Sequence, residues 1–371
     1  MATTYKVLWT ILALVLIALL WLAYMLSHNS ACTGSPAPPG NATLMKATVY
    51  RCYGSPAVLR LEDIAKPAPA DNEVLVRVHA ASVNPLDWHY MRGEPYIMRL
   101  DAGVGAPESP RMGVDFAGTV EAVGKDVKQF KPGNEVFGGK KGAFGEYVSV
   151  REDRAVVLKP ASVTFEQAAA VPIAGVTALQ ALRDHGHIQA GQKVLINGAS
   201  GGVGTFAVQL AKSFGADVTG VCSTRNVEMV RSLGADHVID YTKEDFTKGA
   251  QRYDLIVDNV GNHSLLDYRR VLEPSGIYVV VGGPNKGRWI GPMTLPAKAY
   301  ILSLFVKQKF GFMLAELTKQ DLTYIADLIQ SGKVTPVIDR RYKLSEVPAA
   351  IGYLEEGHAR GKVIINLDHA N

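Results

Sequence analysis

Apolar positions along the chain fall into three regimes, and each predicts a different kind of element. Val7 to Leu26 reads VLWTILALVLIALLWLAYML, an uncharged run of 20 residues. As a helix it extends about 30 Å, the hydrocarbon thickness of a bilayer. Trp9, Trp21 and Tyr24 lie toward its ends, where amphipathic rings favour the headgroup region. The run predicts a transmembrane anchor over residues 1–27. A cleaved signal peptide has a shorter apolar core, and the SHNSACTG that follows offers no clean A-x-A site. A buried helix is the third reading of the same run. The next stretch, SHNSACTGSPAPPGNATLM, has small residues, Pro and Gly but no apolar period, which predicts a flexible linker over 28–45.

In the second regime apolar and polar residues alternate, as in Glu73-Val-Leu-Val-Arg-Val-His79, with GVDFAGTVEAVG, FGEYVSV and AVVLKP following between Gly and Pro turns. Half-buried strands have this period, so residues 46–165 are expected to form a mostly β domain. From about 166 to 309 short apolar runs alternate with amphipathic segments, the signature of βαβ units around a parallel sheet. The tail, with a helix near Gln320 to Ser331, a strand near Val334 to Leu344, a helix from Glu346 and a strand over Lys362–Leu367, is expected to rejoin the first domain over about 310–371. The fold class is therefore α/β, with a second, mostly β domain and an N-terminal membrane helix.

Length and composition agree with this division. A chain of 371 residues exceeds what one hydrophobic core serves, and 47% apolar with 20% charged residues is an ordinary globular profile. The net charge of +4 is spread along the chain rather than gathered in a stripe, which argues against a nucleic-acid partner. Cys32, Cys52 and Cys222 form no CxxC pair and have no His at ligand spacing, so no structural metal site is expected. So sparse and odd a count also predicts no disulfide framework and fits a reducing compartment. Lys6 precedes the apolar run, while Lys46 and Arg51 come late after it, a weak bias toward a domain outside the cytosol. The nucleotide cofactor argued next favours a cytosol-facing domain, which is the expectation kept. Asn41-Ala42-Thr43 is a glycosylation sequon that matters only in the opposite topology.

The candidate chemistry begins where the strand Lys193-Val-Leu-Ile-Asn197 runs into Gly198-Ala199-Ser200-Gly201-Gly202-Val203-Gly204 and then into TFAVQLAKSFG. Backbone approaches a pyrophosphate closely only where no Cβ intervenes, and the helix beginning there aims its amide donors and dipole at the anion. The first glycine of the usual fingerprint is Ala199, and a strand-to-helix turn with no ligand is the plain alternative. The order strand, turn, helix selects dinucleotide binding. After the next strand, Asp217 to Cys222, the chain reads Ser223-Thr224-Arg225-Asn226 without an acid. An acid there would hold the ribose hydroxyls of NADH and repel a 2′-phosphate. Ser223 can donate to that phosphate and Arg225 can fork onto it, so the cofactor expected is NADPH. A capping role for the Ser and Thr is the alternative.

The motifs HAASVNPLDW, GVDFAGTVEAVGKDVKQFKPGNEVFG, AAAVPIAGVTALQAL, NGASGGVGTFAVQLAK, LGADHVIDY, DNVG and GHARGKVIIN together resemble the medium-chain dehydrogenase/reductase superfamily, in its zinc-free quinone oxidoreductase branch. The resemblance spans about Met45 to Leu367 and implies a GroES-like catalytic domain, a Rossmann domain with a doubly wound parallel sheet, NADPH in the cleft between them and a homodimer. It places Thr177 beside the nicotinamide, Ser223 and Tyr241 near the 2′-phosphate, and Asn259 with Gly282 along the ribose and nicotinamide. Tyr241 is equally a packed strand end. Where the zinc alcohol dehydrogenases of this superfamily have a cysteine ligand, this chain has Asn84, their GHE-type motif reads Gly113-Val114-Asp115, and the four-cysteine lobe is missing. Without a metal to polarise a carbonyl, alcohol oxidation loses its main support. Reduction of a quinone or conjugated enone remains feasible, because neutral donors can meet the charge that develops on oxygen.

By resemblance Asn84 is the donor candidate, Tyr96 the proton source, and Asp87 with Tyr90 shapes the pocket. Asn84-Pro85 is also a common turn start, and both tyrosines suit plain packing. His89 carries no role in this reading. The apolar but Pro- and Lys-broken segment from Arg288 to Met313 is a poor second span. In the family it helps form the dimer interface and a pocket wall, and in an anchored chain it could touch the bilayer. Two rival functions share the same fold: an enoyl-thioester reductase of the superfamily, and a membrane scaffold that binds NADPH without turnover.

Overall fold

The computed structural model describes residues 2–34, 40–283, 287–289 and 291–367. Residues 35–39 of the expected linker, 284–286 and 290 of the expected nucleotide domain, and 368–371 lie outside the described residues.

The chain opens on one helix, Ala2–Ser27, apolar over Thr4–Ser27 with its side chains exposed along almost the whole length. It is long and apolar enough to cross a bilayer. A two-stranded antiparallel ribbon follows, β1 (Leu44–Val49) and β2 (Arg60–Ala65). The catalytic-domain sheet is built from β3 (Glu73–Val83), β4 (Asp115–Val123), β5 (Glu135–Gly139), β6 (Tyr147–Arg151) and β7 (Val156–Leu158). The nucleotide domain then contributes β8 (Lys193–Asn197), β9 (Asp217–Cys222), β10 (His237–Asp240), β11 (Tyr253–Asp258), β12 (Leu272–Val280) and β13 (Lys309–Phe312). All six run parallel in the order β10-β9-β8-β11-β12-β13. This is the doubly wound arrangement, whose order reverses beside its first strand. Val194, Leu195 and Ile196 of β8 have no exposure, as expected of a strand covered on both faces.

Two last strands, β14 (Ile338–Lys343) and β15 (Lys362–Asn366), return to the first domain. Here β15 pairs antiparallel with β3 and parallel with β14, so the catalytic sheet reads β14-β15-β3-β4-β5-β7 with β6 on β3. The crossing back falls later than the expected 310. β13 stays with the nucleotide sheet, while the helix Lys319–Gln330 sets buried Leu322 and Ile325 into a core that joins both domains, Ala80, Ala117 and Phe137 of the catalytic sheet included. Its 3.6-residue period specifies a helix but not the core it faces.

The start of the expected linker is held to the domain. Arg99, 1% exposed, donates from Nη1 to Leu26 O at 2.8 Å and His28 O at 3.2 Å, and Ser30 N donates to Gly105 O at 2.8 Å. Cys32 and Cys52 form a disulfide with their Cα atoms 4.8 Å apart. The expectation of no disulfide is thereby corrected, and with it the cysteine argument for a reducing compartment. Cysteine count and spacing do not encode so close an approach of two Cα atoms. Only Cys222 is free, and it is buried.

Candidate functional site

The glycine turn closes as its sequence requires. Gly198 takes φ +77°, and Gly201 leads into the helix Gly202–Ser213. A Cβ on Gly204 would lie 2.1 Å from Gly198 O, so close turn packing forces glycine there. One on Gly201 would meet only Gly198 O at 3.5 Å, leaving open space beside the helix start. Ala199 is buried beneath the turn, while Ser200, Gly201, Gly202 and Val203 are partly exposed on it.

Behind the turn the carboxyl ends of β8, β11 and β12 are knitted together. Asp258 accepts from Asn197 Nδ2 at 2.9 Å and from Tyr278 Oη at 2.6 Å. Asn259 Nδ2 donates to Asn197 O at 2.9 Å, and Gly282 N donates to Asp258 O at 3.0 Å. A Cβ on Gly282 would stand 2.3 Å from Asn259 O. The Oδ1 of Asn259 is buried without a hydrogen-bond partner. A buried acceptor costs free energy unless something donates to it, and a ribose hydroxyl or carboxamide N–H is the donor a dinucleotide brings. The open cradle at Gly201 and this orphaned oxygen both fit the implied cofactor.

At the end of β9 the side chains divide. Thr224 turns away, donating to Asp240 Oδ2 at 2.6 Å. Asn226 Nδ2 donates to Ser200 Oγ at 3.0 Å and Ser223 Oγ at 3.2 Å. Arg225 is exposed and donates to His358 O at 3.0 Å. Arg360, to which the sequence reading gave no role, donates from Nε to Asn226 Oδ1 at 2.7 Å. Tyr241 is 55% exposed, with its backbone N–H on Cys222 O. Arg360 thus meets Asn226, which itself bonds Ser223, and it lies inside the GHARG segment.

The floor of the catalytic domain is a closed polar cluster. Asn84, Asp87, Asp115 and Lys362 are 1%, 2%, 0% and 3% exposed. Asn84 Nδ2 donates to Asp115 Oδ2 at 2.9 Å and more weakly to Ser82 O at 3.4 Å. Its Oδ1 accepts from Lys362 Nζ at 2.5 Å, and its backbone N–H donates to Asp87 Oδ2 at 2.7 Å. The expected donor amide is thus committed within the protein. Burial pushes Asp87 up to about 7, against the lowering pull of the Asn84 N–H. Burial also raises Asp115, countered chiefly by Lys362, whose own ammonium is driven down by the same desolvation. Asp115 Oδ1 accepts from Ile173 N at 3.1 Å. That contact ties the floor to the nucleotide-domain helix Pro172–Gln180, where Thr177 sits 9% exposed.

Tyr96 belongs to another group. Its ring stands edge-on to Trp289 at 5.1 Å between centroids, and the Arg99 guanidinium lies over both Tyr96 and Tyr53. Tyr90 is half-buried with Lys141 over its ring. His89 stacks on Trp88 and contacts Glu94 O through Nδ1 at 2.7 Å. Tyr50, unsuspected from its place in an ordinary strand end, is buried with an unpartnered hydroxyl, raised by burial and by nearby Tyr53, Tyr90 and Asp87.

Fold and site define a two-domain α/β oxidoreductase with its nucleotide turn facing a buried polar floor. An alcohol dehydrogenase GroES-like family matches residues 70–161, and a zinc-binding dehydrogenase family matches 233–365. The chain is 38% identical over 361 residues to the human mitochondrial NAD(P)H oxidoreductase RTN4IP1, covering 88% of this chain and 90% of that one. It is 36% identical over 337 residues to 2-methylene-furan-3-one reductase of Solanum lycopersicum, covering 87% and 79%. A quinone oxidoreductase structure from Coxiella burnetii superposes with TM-score 0.77 at 31% identity, covering 88% of this chain and all of that one. The chain belongs to the medium-chain dehydrogenase/reductase superfamily and fits its zinc-free branch. The zinc in the family's name has no counterpart in this donor set: among the described residues no three His, Cys, Asp or Glu side chains converge.

Proposed function

We propose that the protein is an NADPH-dependent, zinc-independent reductase of quinones or α,β-unsaturated carbonyls, anchored to a membrane by its N-terminal helix. The observation that carries the reading is the end of β9, where Ser223, Arg225 and Arg360 gather beside an open glycine turn with no acid on Ser223-Thr224-Arg225. Two guanidinium groups suit a 2′-phosphate and offer nothing specific to a free ribose hydroxyl.

The amides at Gly201, Gly202 and Val203 would receive the diphosphate. Asn259 Oδ1 would accept from the ribose or carboxamide, and Thr177 would border the nicotinamide. A bound NADPH would supply a hydride to the electrophilic carbon of the acceptor. Asn84 then acts by shaping a rigid floor, since its amide is turned to Asp115 and Lys362. Tyr96 is the proposed proton source, and Asp87 holds the Asn84 backbone from beneath. The homodimer is proposed through β13, the edge strand of the nucleotide sheet, with exposed Leu304, Phe305 and Leu314 flanking it.

The test is anaerobic NADPH oxidation by the full chain in detergent micelles against a panel of quinones, enones and enoyl thioesters. Turnover with quinones or enones supports the reading. Turnover confined to thioesters reassigns the acceptor, and tight NADPH binding without any turnover makes the protein a scaffold. Light scattering of the same sample reads the dimer.

A further inference from the structure

We infer that Lys362 is the positioning residue of this cleft: its buried ammonium locks the Asn84 amide and the Asp115 carboxylate in one orientation and holds the acceptor floor in register with the nucleotide turn. The inference rests on the reductase reading above and goes beyond it, since the resemblance gave Lys362 no role.

The argument starts from donor and acceptor bookkeeping. An ammonium group has three donors and no acceptor, and an amide has one end of each kind. Lys362 Nζ donates to Asn84 Oδ1 at 2.5 Å and Val83 O at 3.2 Å, and lies 3.5 Å from Asp115 Oδ2. Only the carbonyl end of Asn84 can face such a group. The amide end must then face Asp115, as it does at 2.9 Å. Replace the lysine with an apolar side chain and the Asn84 carbonyl loses its donor, while Asp115 is left buried beside no cation.

The same side chain reaches the other domain. Lys362 opens β15 in the catalytic sheet, yet a Cβ placed on Gly202 would meet Lys362 Cδ at 3.1 Å. Gly202 is the first residue of the helix whose amides point at the cofactor site. One stem therefore passes beside the turn that would carry the diphosphate, near enough that a Gly202 Cβ would meet it, while its tip holds the floor on which the acceptor would rest. Asp115 adds a second tie across the seam through Ile173 N at 3.1 Å. Hydride transfer is sensitive to donor–acceptor placement, and a shift of about 1 Å can cost about a hundredfold in rate. A lysine that spans the seam at both levels sets that placement.

A lone Lys362→Met change leaves an unpaired buried carboxylate and could fail to fold. The test therefore pairs it with Lys362→Met/Asp115→Asn, which removes both charges at nearly constant shape, and with Lys362→Gln, which keeps a neutral donor toward Asn84. The full chain is assayed in micelles for NADPH affinity, for kcat with a water-soluble benzoquinone, and for the primary isotope effect with NADPH deuterated at C4. Folded double variant is expected to bind NADPH within about threefold of the unaltered protein, to lose kcat by about tenfold or more, and to show a larger isotope effect. Lys362→Gln is expected to recover part of kcat. An isotope effect and kcat in the double variant within about twofold of the unaltered protein overturn the inference alone. Absence of NADPH binding or turnover in the unaltered protein overturns the reductase reading, and this inference with it.

Discussion

Arg360 Nε donates to Asn226 Oδ1 at 2.7 Å, joining residues 134 positions apart and laying a guanidinium from the end of the chain beside the end of β9. Its Nη2 also reaches Arg225 O at 3.3 Å. Asn226 in turn donates to Ser223 Oγ at 3.2 Å, so the guanidinium lies one residue's side chain from Ser223. Arg225→Asp is expected to lower kcat/KM with NADPH by about 10 to 100-fold while leaving that with NADH within a few-fold. Arg360→Ala should do the same more mildly. Equal losses with both coenzymes would remove the 2′-phosphate assignment.

Two glycines of one turn should respond differently to the same methyl group. In Gly204→Ala the new carbon starts 2.1 Å from Gly198 O, so the turn must deform, at a cost of about 1–3 kcal/mol in stability. In Gly201→Ala it enters open space with its nearest neighbour at 3.5 Å. There the fold is expected to melt as before while NADPH affinity falls by about tenfold or more, the methyl group occupying the phosphate's approach. Thermal melts with and without NADPH read both effects.

Burial raises Asp87 from 3.8 to about 7, so folding favours its protonated form. The associated stability is whole below about pH 4 and is lost as pH rises toward about 7, by at most about 1.4 kcal/mol per unit. Asp115 and Lys362 share this titration, so the window belongs to the cluster. Asp87→Asn keeps an acceptor for the Asn84 N–H and cannot ionise. Denaturation midpoints from pH 4 to 8 should therefore fall for the unaltered protein and stay flatter for the variant; parallel curves would contradict the assignment.

The tether adds stability only if it docks as described. A chain starting at Met25 keeps Leu26 O and His28 O for Arg99 and keeps Cys32 for Cys52. One starting at Met45 loses all three. The longer truncation is expected to be less stable by about 1–3 kcal/mol from the stranded guanidinium. Closing a loop of separation 20 adds at most about 3 kcal/mol. Equal melting temperatures would mean that the segment is a passive linker.

Much of the nucleotide domain was legible because its signals are local. Each of β8, β9 and β11 is an apolar run ending at a glycine or polar turn, and the Gly198 to Gly204 turn explains itself from backbone sterics. What escaped is contact between distant positions. Lys362 and Asn84 are 278 residues apart, and no periodicity says which side chain a buried lysine will meet. The Asn84 amide was read as a free donor because its residue type permits it, whereas Asp115 and Lys362 decide where it points. Cys32 and Cys52 pair across a separation of 20 residues that no local pattern marks. Helix Lys319–Gln330 showed its amphipathic face plainly, but not that the core it covers joins both domains.

Strand β15 has a consequence for biosynthesis. β15 lies between β3 and β14 yet follows every strand of the nucleotide sheet along the chain, so during translation the nucleotide sheet can assemble while the first sheet still lacks an inner strand. A ribosome must release the chain beyond Lys362 before that side chain can reach Asn84, 278 residues earlier. Chains cut short by a late stop codon would therefore be coenzyme traps, complete in one half and inert in the other.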